Sequence, residues 1–130
     1  MRILILEDDK KRQVTFKQNL IGHNVVIVET PQEAIALLES EEWEMLCLDH
    51  DLYGKVYVPS GPGTGYEVAE WLSIHKDRKP KKIFTHSFNE KGRAEILRVL
   101  PETIEAPGMW YAPTSFLIAG IMKADNGEIC

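Results

Sequence analysis

The sequence has few cysteines, no long hydrophobic run and no excess of positive charge, and each absence excludes a class of protein. Its 130 residues include two cysteines, Cys47 inside an apolar segment and Cys130 at the end. Two cysteines do not form a disulfide framework, which favours a reducing cytoplasm as the location. No apolar run approaches the length of a membrane span, and Met1 opens a segment that turns acidic too soon for a signal peptide.

Net charge and chain length exclude further classes of protein. The formal net charge is −5, which argues against a general nucleic-acid coat, because such a coat needs a basic face. A small phosphorylated ligand stays open, since it needs only a local site. Hydrophobic residues make up 44% of the chain, and the length suits one globular domain. We predict a single domain over residues 1–125 and a short tail over residues 126–130.

Short apolar segments alternate with amphipathic ones, and this alternation predicts five β-strands and five α-helices in strict succession. In the first helix, Val14, Leu20 and Ile21 are expected to face the core. Such a chain forms an α/β fold, a parallel sheet covered by helices on both faces. The predicted strands are residues 3–6, 24–28, 44–49, 81–85 and 103–106, and the predicted helices are residues 10–21, 31–41, a third from 65, 90–100 and a last from 114 or 115 to about 125.

Polar residues cluster where three of the predicted strands end. In the strand order 2-1-3-4-5 expected for such a sheet, strands one, three and four are neighbours, so the clusters meet at one edge. Carboxylates gathered there repel one another unless a cation or protons share the site. Oxygen ligands of this kind suit Mg²⁺ or Mn²⁺, although Asp9 and Asn89 also fit as plain helix caps. The clusters are Glu7-Asp8-Asp9, Asp49-His50-Asp51 and His86-Ser87-Phe88-Asn89.

Two histidines and one loop add candidate chemistry at this edge. His50 and His86 could act as a general acid and a general base on either side of a phosphorus atom, or one of them could simply pack. The connection over residues 53–65 is long and rich in glycine, which is typical of lids and binding loops, and its Lys55 could reach a ligand.

Residues 2–9, residues 46–52 and the helix that opens at Gly65 together resemble a response-regulator receiver domain. The resemblance implies a flavodoxin-like three-layer sandwich. It implies that Asp8 and its neighbour Glu7 are metal-binding acids and that Asp49 is the phospho-accepting aspartate. It also implies that Asp51 helps to hold the metal through its backbone carbonyl.

The departures from the receiver pattern matter as much as the matches. Receivers carry a lysine before a proline at the end of strand five, whereas this chain has Ala106-Pro107. The Asp-His-Asp-Leu motif that starts at Asp49 and the His-Ser-x-Asn motif that starts at His86 resemble a divergent branch, the cyclic-phosphate processing receivers. Members of that branch are expected to act on cyclic phosphate ends of RNA or on cyclic nucleotides.

The leading hypothesis is metal-assisted hydrolysis, or binding, of a cyclic-phosphate nucleotide or RNA end. The first alternative is a signalling receiver phosphorylated on Asp49, and the second is a degenerate receiver fold that only binds proteins. A homodimer is left open. The residues assigned are His50, His86 and Asp49 for catalysis, Ser87, Asn89 and Lys55 for substrate, and Glu7, Asp8, Asp49 and Asp51 for the metal.

Overall fold

The structure, a computed structural model, describes residues 1–52 and 57–111. Within them, strands and helices alternate as the sequence predicts, and two short 3₁₀ turns, Lys76–Arg78 and Met109–Tyr111, are added. The elements are β1 (Arg2–Leu6), α1 (Lys10–Asn19), β2 (Asn24–Val28), α2 (Pro31–Ser40), β3 (Met45–Leu48), α3 (Gly65–Ile74), β4 (Lys82–Thr85), α4 (Glu90–Val99) and β5 (Ile104–Glu105).

The five strands form one parallel sheet in the order β2-β1-β3-β4-β5. This order confirms the predicted α/β architecture and the flavodoxin-like strand arrangement. In the register, Leu6 of β1 pairs with Leu48 of β3, and Leu48 pairs in turn with Thr85 of β4. The residue after each of these three strands therefore lies at the same level, at the carboxyl edge of the sheet.

Alternation along the strands divides the core between two faces of the sheet. Ile3 and Ile5 of β1 pack with Phe16 of α1, on what we call the α1 face. Leu4 and Leu6 pack on the opposite side with residues of α2, α3 and α4, such as Leu72, on what we call the α3/α4 face. Strands β1 to β4 each contribute to both faces because successive side chains point to opposite sides.

The predicted inner face of α1 is wrong in part. Val14 is 53% exposed and Ile21 is 84% exposed, whereas Phe16 is fully buried. Phe16 and Leu20 are four residues apart and share one side of the helix, while Val14 is about 200° around from Phe16. The helix ends at Asn19, so Ile21 lies beyond it, in the turn before Gly22.

Side chains cap the starts of α2 and α4. The hydroxyl of Thr30 accepts a hydrogen bond from the Glu33 backbone N–H at 3.2 Å and donates one to Glu33 Oε1 at 3.0 Å, which caps α2. At α4, the side-chain oxygen of Asn89 accepts from the Gly92 N–H at 2.9 Å. These local interactions set where both helices begin.

The last predicted helix and the predicted tail lie outside the described residues. Strand five is shorter than predicted, two residues at Ile104–Glu105, and the chain then enters the turn Met109–Tyr111. Among the described residues, no helix is both long and apolar enough to cross a membrane.

Candidate functional site

Three polar residues extend three neighbouring strands onto the same face of the sheet. Glu7 follows β1, Asp49 follows β3 and His86 follows β4. Each comes two residues after a side chain on the α1 face, namely Ile5, Cys47 and Phe84. The period of two in a strand therefore carries all three polar side chains to the α1 face.

We call these three residues the carboxylate–histidine cluster. One ligand atom from each of Glu7, Asp49 and His86 lies within 4.8 Å of the others, and all three side chains are buried. His86 Nε2 is hydrogen-bonded to Glu7 Oε1 at 3.0 Å, and the edge of its ring packs against Phe16 of α1. Two carboxylates and an imidazole at this spacing are compatible with a divalent metal ion.

Burial dominates the ionisation of the cluster. It raises the pKa of Glu7 to about 7, against the lowering effects of the Asp9 backbone N–H and of the Arg12 charge. It raises the pKa of Asp49 to about 7 despite the favourable charge of His86. The same desolvation lowers the pKa of His86 to about 4, because a buried imidazole resists protonation. Near neutral pH the two carboxyl groups therefore gain and lose protons readily, while the imidazole is neutral.

Arg12 of α1 supplies a positive charge at this site, and the sequence analysis missed it. Its Nη1 atom lies 3.9 Å from Glu7 Oε1 and 4.0 Å from Asp49 Oδ2. The guanidinium also stacks 4.2 Å above the ring of Trp110. The signal available in the sequence was helical spacing, since Arg12 is one turn before the buried Phe16 and so shares its side of α1.

His50 lies on the other face of the sheet. A Cβ atom added to Gly92 of α4 would lie only 2.5 Å from His50 Cγ, which places the imidazole against that helix. Its Nδ1 atom lies 2.8 Å from Asp51 Oδ1, and its Nε2 atom lies 2.8 Å from the hydroxyl of Ser60. The structure therefore does not bring the two histidines together. His50 directly follows Asp49, and the alternation of successive side chains turns it to the α3/α4 face.

The carboxylate of Asp51 is also turned away from the cluster. It accepts hydrogen bonds from the backbone N–H groups of Tyr57 at 2.7 Å and Val58 at 3.3 Å. Partial burial opposes its ionisation, but hydrogen bonds from His50, Asn89 and Tyr57 hold its pKa below the usual value. Its side chain thus anchors the start of the loop before α3.

The remaining predicted site residues have these positions. Asp8 is partly exposed at the same edge but is not a member of the cluster. Ser87 accepts a hydrogen bond from the Asn89 backbone N–H at 3.0 Å, and the side-chain amide of Asn89 donates to Asp51 at 3.0 Å. Lys55 lies outside the described residues.

Gly65 allows α3 to begin directly against the end of β3. Its N–H donates to the His50 carbonyl at 3.0 Å. A Cβ atom at this position would lie 1.7 Å from the Asp49 carbonyl oxygen, so only glycine fits without a shift of the backbone.

The family model described as "Cyclic-phosphate processing Receiver domain" matches residues 2–102, a span that contains the whole cluster. The chain belongs to the cyclic-phosphate processing receiver family. No curated protein matches its sequence.

The solved structures that share this fold include response-regulator receivers. The receiver domain from Methanospirillum hungatei JF-1 is 24% identical, with a TM-score of 0.66 over 98% of this chain and 95% of that one. The receiver domain of the Francisella response regulator 1452 is 14% identical, with a TM-score of 0.67 over 96% and 97%. The Mn²⁺-bound form of the response regulator Rcp1 is 19% identical, with a TM-score of 0.61 over 93% and 90%. At these identities the likeness shows the fold alone.

At the carboxyl edge, Ala106 follows β5 at the position where the receiver pattern has a lysine. The Ala106 backbone N–H donates to the Thr85 carbonyl at 2.9 Å, and the Gly108 N–H donates to the His86 carbonyl at 3.2 Å. Ala106 is thus held beside the histidine and adds no charge. Arg12, from the other end of the chain, supplies positive charge beside the carboxylates.

Proposed function

We propose that this chain hydrolyses a cyclic phosphate on a nucleotide or at an RNA end, with the help of a divalent metal ion. The observation that carries the proposal is the buried cluster of Glu7, Asp49 and His86, with the Arg12 guanidinium within 4.0 Å of both carboxylates. Membership of the cyclic-phosphate processing receiver family supports the substrate class. We also propose the cytoplasm as its location, since the two cysteines of the sequence do not form a disulfide framework.

The residues of the cluster fit a divalent ion. A metal ligand must be deprotonated, and carboxyl groups with a pKa of about 7 release their protons to an arriving cation at little cost. The His86 imidazole is already neutral, and its Nδ1 atom has no hydrogen-bond partner among the described residues. Because the set mixes an imidazole with two carboxylates, we propose Mn²⁺ ahead of Mg²⁺.

The proposed role of each residue follows from its position in the site. Glu7, Asp49 and His86 would hold the ion, which when bound polarises the phosphoryl oxygens and lowers the pKa of a coordinated water. Arg12 would bind a phosphoryl oxygen through a charge-assisted hydrogen bond and so orient the phosphorus over the cluster. The guanidinium already rests over the ring of Trp110, 4.2 Å from the ring centre, so little conformational freedom is lost when substrate binds.

The acid and base roles of the two histidines stay predictions. His86 could take such a role only if Glu7 and Asp49 held the ion without it, since its Nε2 atom is the one that lies inside the cluster. His50 would first have to leave Asp51 and Ser60, and it lies on the α3/α4 face. The pH profile of turnover in His50→Gln and His86→Gln measures each role: loss of one limb of the profile assigns that proton transfer to the substituted histidine.

The test is hydrolysis of 2′,3′-cyclic nucleotides and of an RNA oligonucleotide with a cyclic phosphate end, with Mn²⁺, with Mg²⁺ and with a chelator. We expect turnover that the chelator abolishes and that Asp49→Asn lowers by about 10² or more. Asp77→Asn is the matched control, because Asp77 is exposed in the turn Lys76–Arg78 at the opposite edge. Equal turnover in Asp49→Asn and wild type would rule out the proposed site.

A phosphodonor experiment tests the alternative of a signalling receiver. Incubation with acetyl phosphate and Mg²⁺ adds one phosphoryl group to Asp49 if the chain works as a receiver. We expect no stable adduct. The reason is that Ala106 leaves the end of β5 without the lysine that receivers carry there, and that the imidazole of His86 stands beside the carboxylate.

A further inference from the structure

A shallow cleft opens directly beside the carboxylate–histidine cluster. It has a volume of about 230 Å³ and is lined by Asp9, Lys11, Arg12, Thr15, Phe88 and Trp110. Arg12 belongs to both places, because its guanidinium forms one wall of the cleft and also approaches Glu7 and Asp49. Any molecule whose phosphate lies on Arg12 therefore has this cleft next to it.

The cleft is also lined by an aromatic ring exposed to solvent, that of Phe88. Phe88 is 51% exposed, although the residues on either side of it, Ser87 and Asn89, are buried. Its ring packs edge to face on Trp110, with 5.2 Å between ring centres and an angle of 78° between planes. A Cβ atom added to Gly108 would lie 3.3 Å from Phe88 Cζ, so the ring rests close to the turn after β5. The ring is positioned by its neighbours while much of its surface stays free.

We infer that this cleft binds the nucleobase of the substrate, stacked on Phe88 while the phosphate lies on Arg12. The inference rests on the proposed function and deepens it, because it limits the substrate to molecules that carry an unpaired base. Stacking on an aromatic ring accepts any base, since every base has a π-face. Arg12 Cζ lies 5.9 Å from the centre of the Phe88 ring, a separation that one nucleotide spans.

The charges around the cleft favour the same occupant. Lys11 and Arg12 both line it, and positive side chains beside an aromatic platform are the usual combination in sites for single-stranded nucleic acid. The carboxylate of Asp9 accepts hydrogen bonds from the Lys11 and Arg12 backbone N–H groups at 2.9 and 3.1 Å. This acid therefore serves as the cap of α1. A base held here belongs to a free nucleotide or to the last residue of an unpaired RNA end, and a base-free cyclic phosphate would leave the cleft unused.

The binding test uses the full chain, Mn²⁺ and two stable ligands, adenosine 3′-monophosphate and the base-free glycerol 2-phosphate. We expect Phe88→Ala to weaken binding of the nucleotide about tenfold, which corresponds to the loss of one stacked base, and to leave binding of glycerol phosphate unchanged. Phe88→Trp should restore nucleotide affinity. Ile74→Ala is the matched control, since Ile74 is also an exposed apolar residue, 72% exposed, but lies at the far end of α3.

Three results would overturn the inference. Equal nucleotide affinity in Phe88→Ala and wild type would show that the ring does not stack on the base. An equal loss of affinity for both ligands would show that Phe88 only supports the fold of the site. A change of oligomeric state in Phe88→Ala, with nucleotide affinity unchanged, would show that the cleft is a protein contact.

Parallel hydrolysis assays separate this inference from the proposed function. If wild type hydrolyses 2′,3′-cyclic AMP and glycerol 1,2-cyclic phosphate equally well, the hydrolytic function stands and the base site fails. If the nucleotide binds through Phe88 but no cyclic phosphate is hydrolysed with any metal, the base site stands and the hydrolytic function fails. If neither binding nor turnover is found, both fail.

Discussion

Replacing Asp49 with asparagine should make the metal-free protein more stable at alkaline pH. Asp49 is buried, and its pKa is raised from 3.8 to about 7. Above that pH the folded protein contains a desolvated carboxylate beside a second one, Glu7, whose pKa is raised for the same reason. Asparagine keeps the shape and one acceptor oxygen, has a donor NH2 group in place of the other oxygen, and carries no charge, so its burial costs less. The proposed site is thus built at the expense of stability.

The magnitude follows from the shift in pKa. A rise of roughly 3 pKa units corresponds to about 4 kcal/mol of lost stability when the group is ionised. Because Asp49 and Glu7 titrate together, part of that cost stays with Glu7 in the variant, and we expect a gain of about 2 to 4 kcal/mol at pH 8. For a domain of this size, each kcal/mol raises the unfolding temperature by roughly 4 °C. The expected increase is therefore on the order of 10 °C.

The sign of the pH dependence is fixed by which state holds the proton. Between about pH 4 and pH 7 the folded state keeps the Asp49 proton and the unfolded state has lost it, so wild-type stability falls as pH rises through this window. His86 acts in the opposite direction, because its folded pKa is lowered from 6.5 to about 4 and its contribution is lost as pH falls from 6.5 towards 4. Comparing Asp49→Asn with wild type at each pH largely cancels the histidine contribution.

The assay is urea or thermal unfolding at pH 5 and pH 8 in the presence of a chelator, with Asp77→Asn as the exposed control. The advantage of Asp49→Asn should shrink to about 1 to 2 kcal/mol at pH 5. Added Mn²⁺ at about a hundred times its dissociation constant should stabilise wild type by about 2.7 kcal/mol and the variant far less. An Asp49→Asn protein no more stable than wild type at pH 8 would refute the description of the cluster as a desolvated acid pair.

Three further substitutions test separate parts of the structure. Arg12→Gln should raise the pKa of Glu7, because the arginine charge lowers it. The pH at which Mn²⁺ half-saturates the site, measured by titration, should therefore increase. If that pH does not change, Arg12 does not contribute to the electrostatics of the site. Gly92→Ala should destabilise the fold by about 1 to 3 kcal/mol in urea unfolding, since the new methyl group would lie 2.5 Å from the His50 ring. A more stable variant would show that the His50 ring does not pack against Gly92. Thr30→Ala should lower the free energy of unfolding by about 1 kcal/mol in thermal unfolding, through loss of the α2 cap, and should leave turnover unchanged. Loss of turnover would show that α2 contributes to the site.

The sequence was most informative where structure is set by near neighbours. Apolar segments predicted the strands, and Asp9 and Asn89 marked the starts of two helices, because capping involves residues only three positions apart. The inner face of α1 was misjudged at Val14 because hydrophobicity alone does not identify the buried side of a short helix with several polar positions. Counting four residues back from Leu20 to Phe16 finds that side.

In the candidate site, too, some features follow from neighbouring residues and others depend on long-range packing. The sequence by itself determined that three polar clusters end three strands, and the period of two within each strand already assigns Glu7, Asp49 and His86 to one face and His50 to the other. Only the tertiary structure decided that α1 covers the first face and brings Arg12 to the carboxylates. It alone brought Phe88 and Trp110, from the ends of β4 and β5, around that arginine. Strand periodicity is a local property of the chain, whereas contacts between residues far apart in sequence depend on which helix packs against which face.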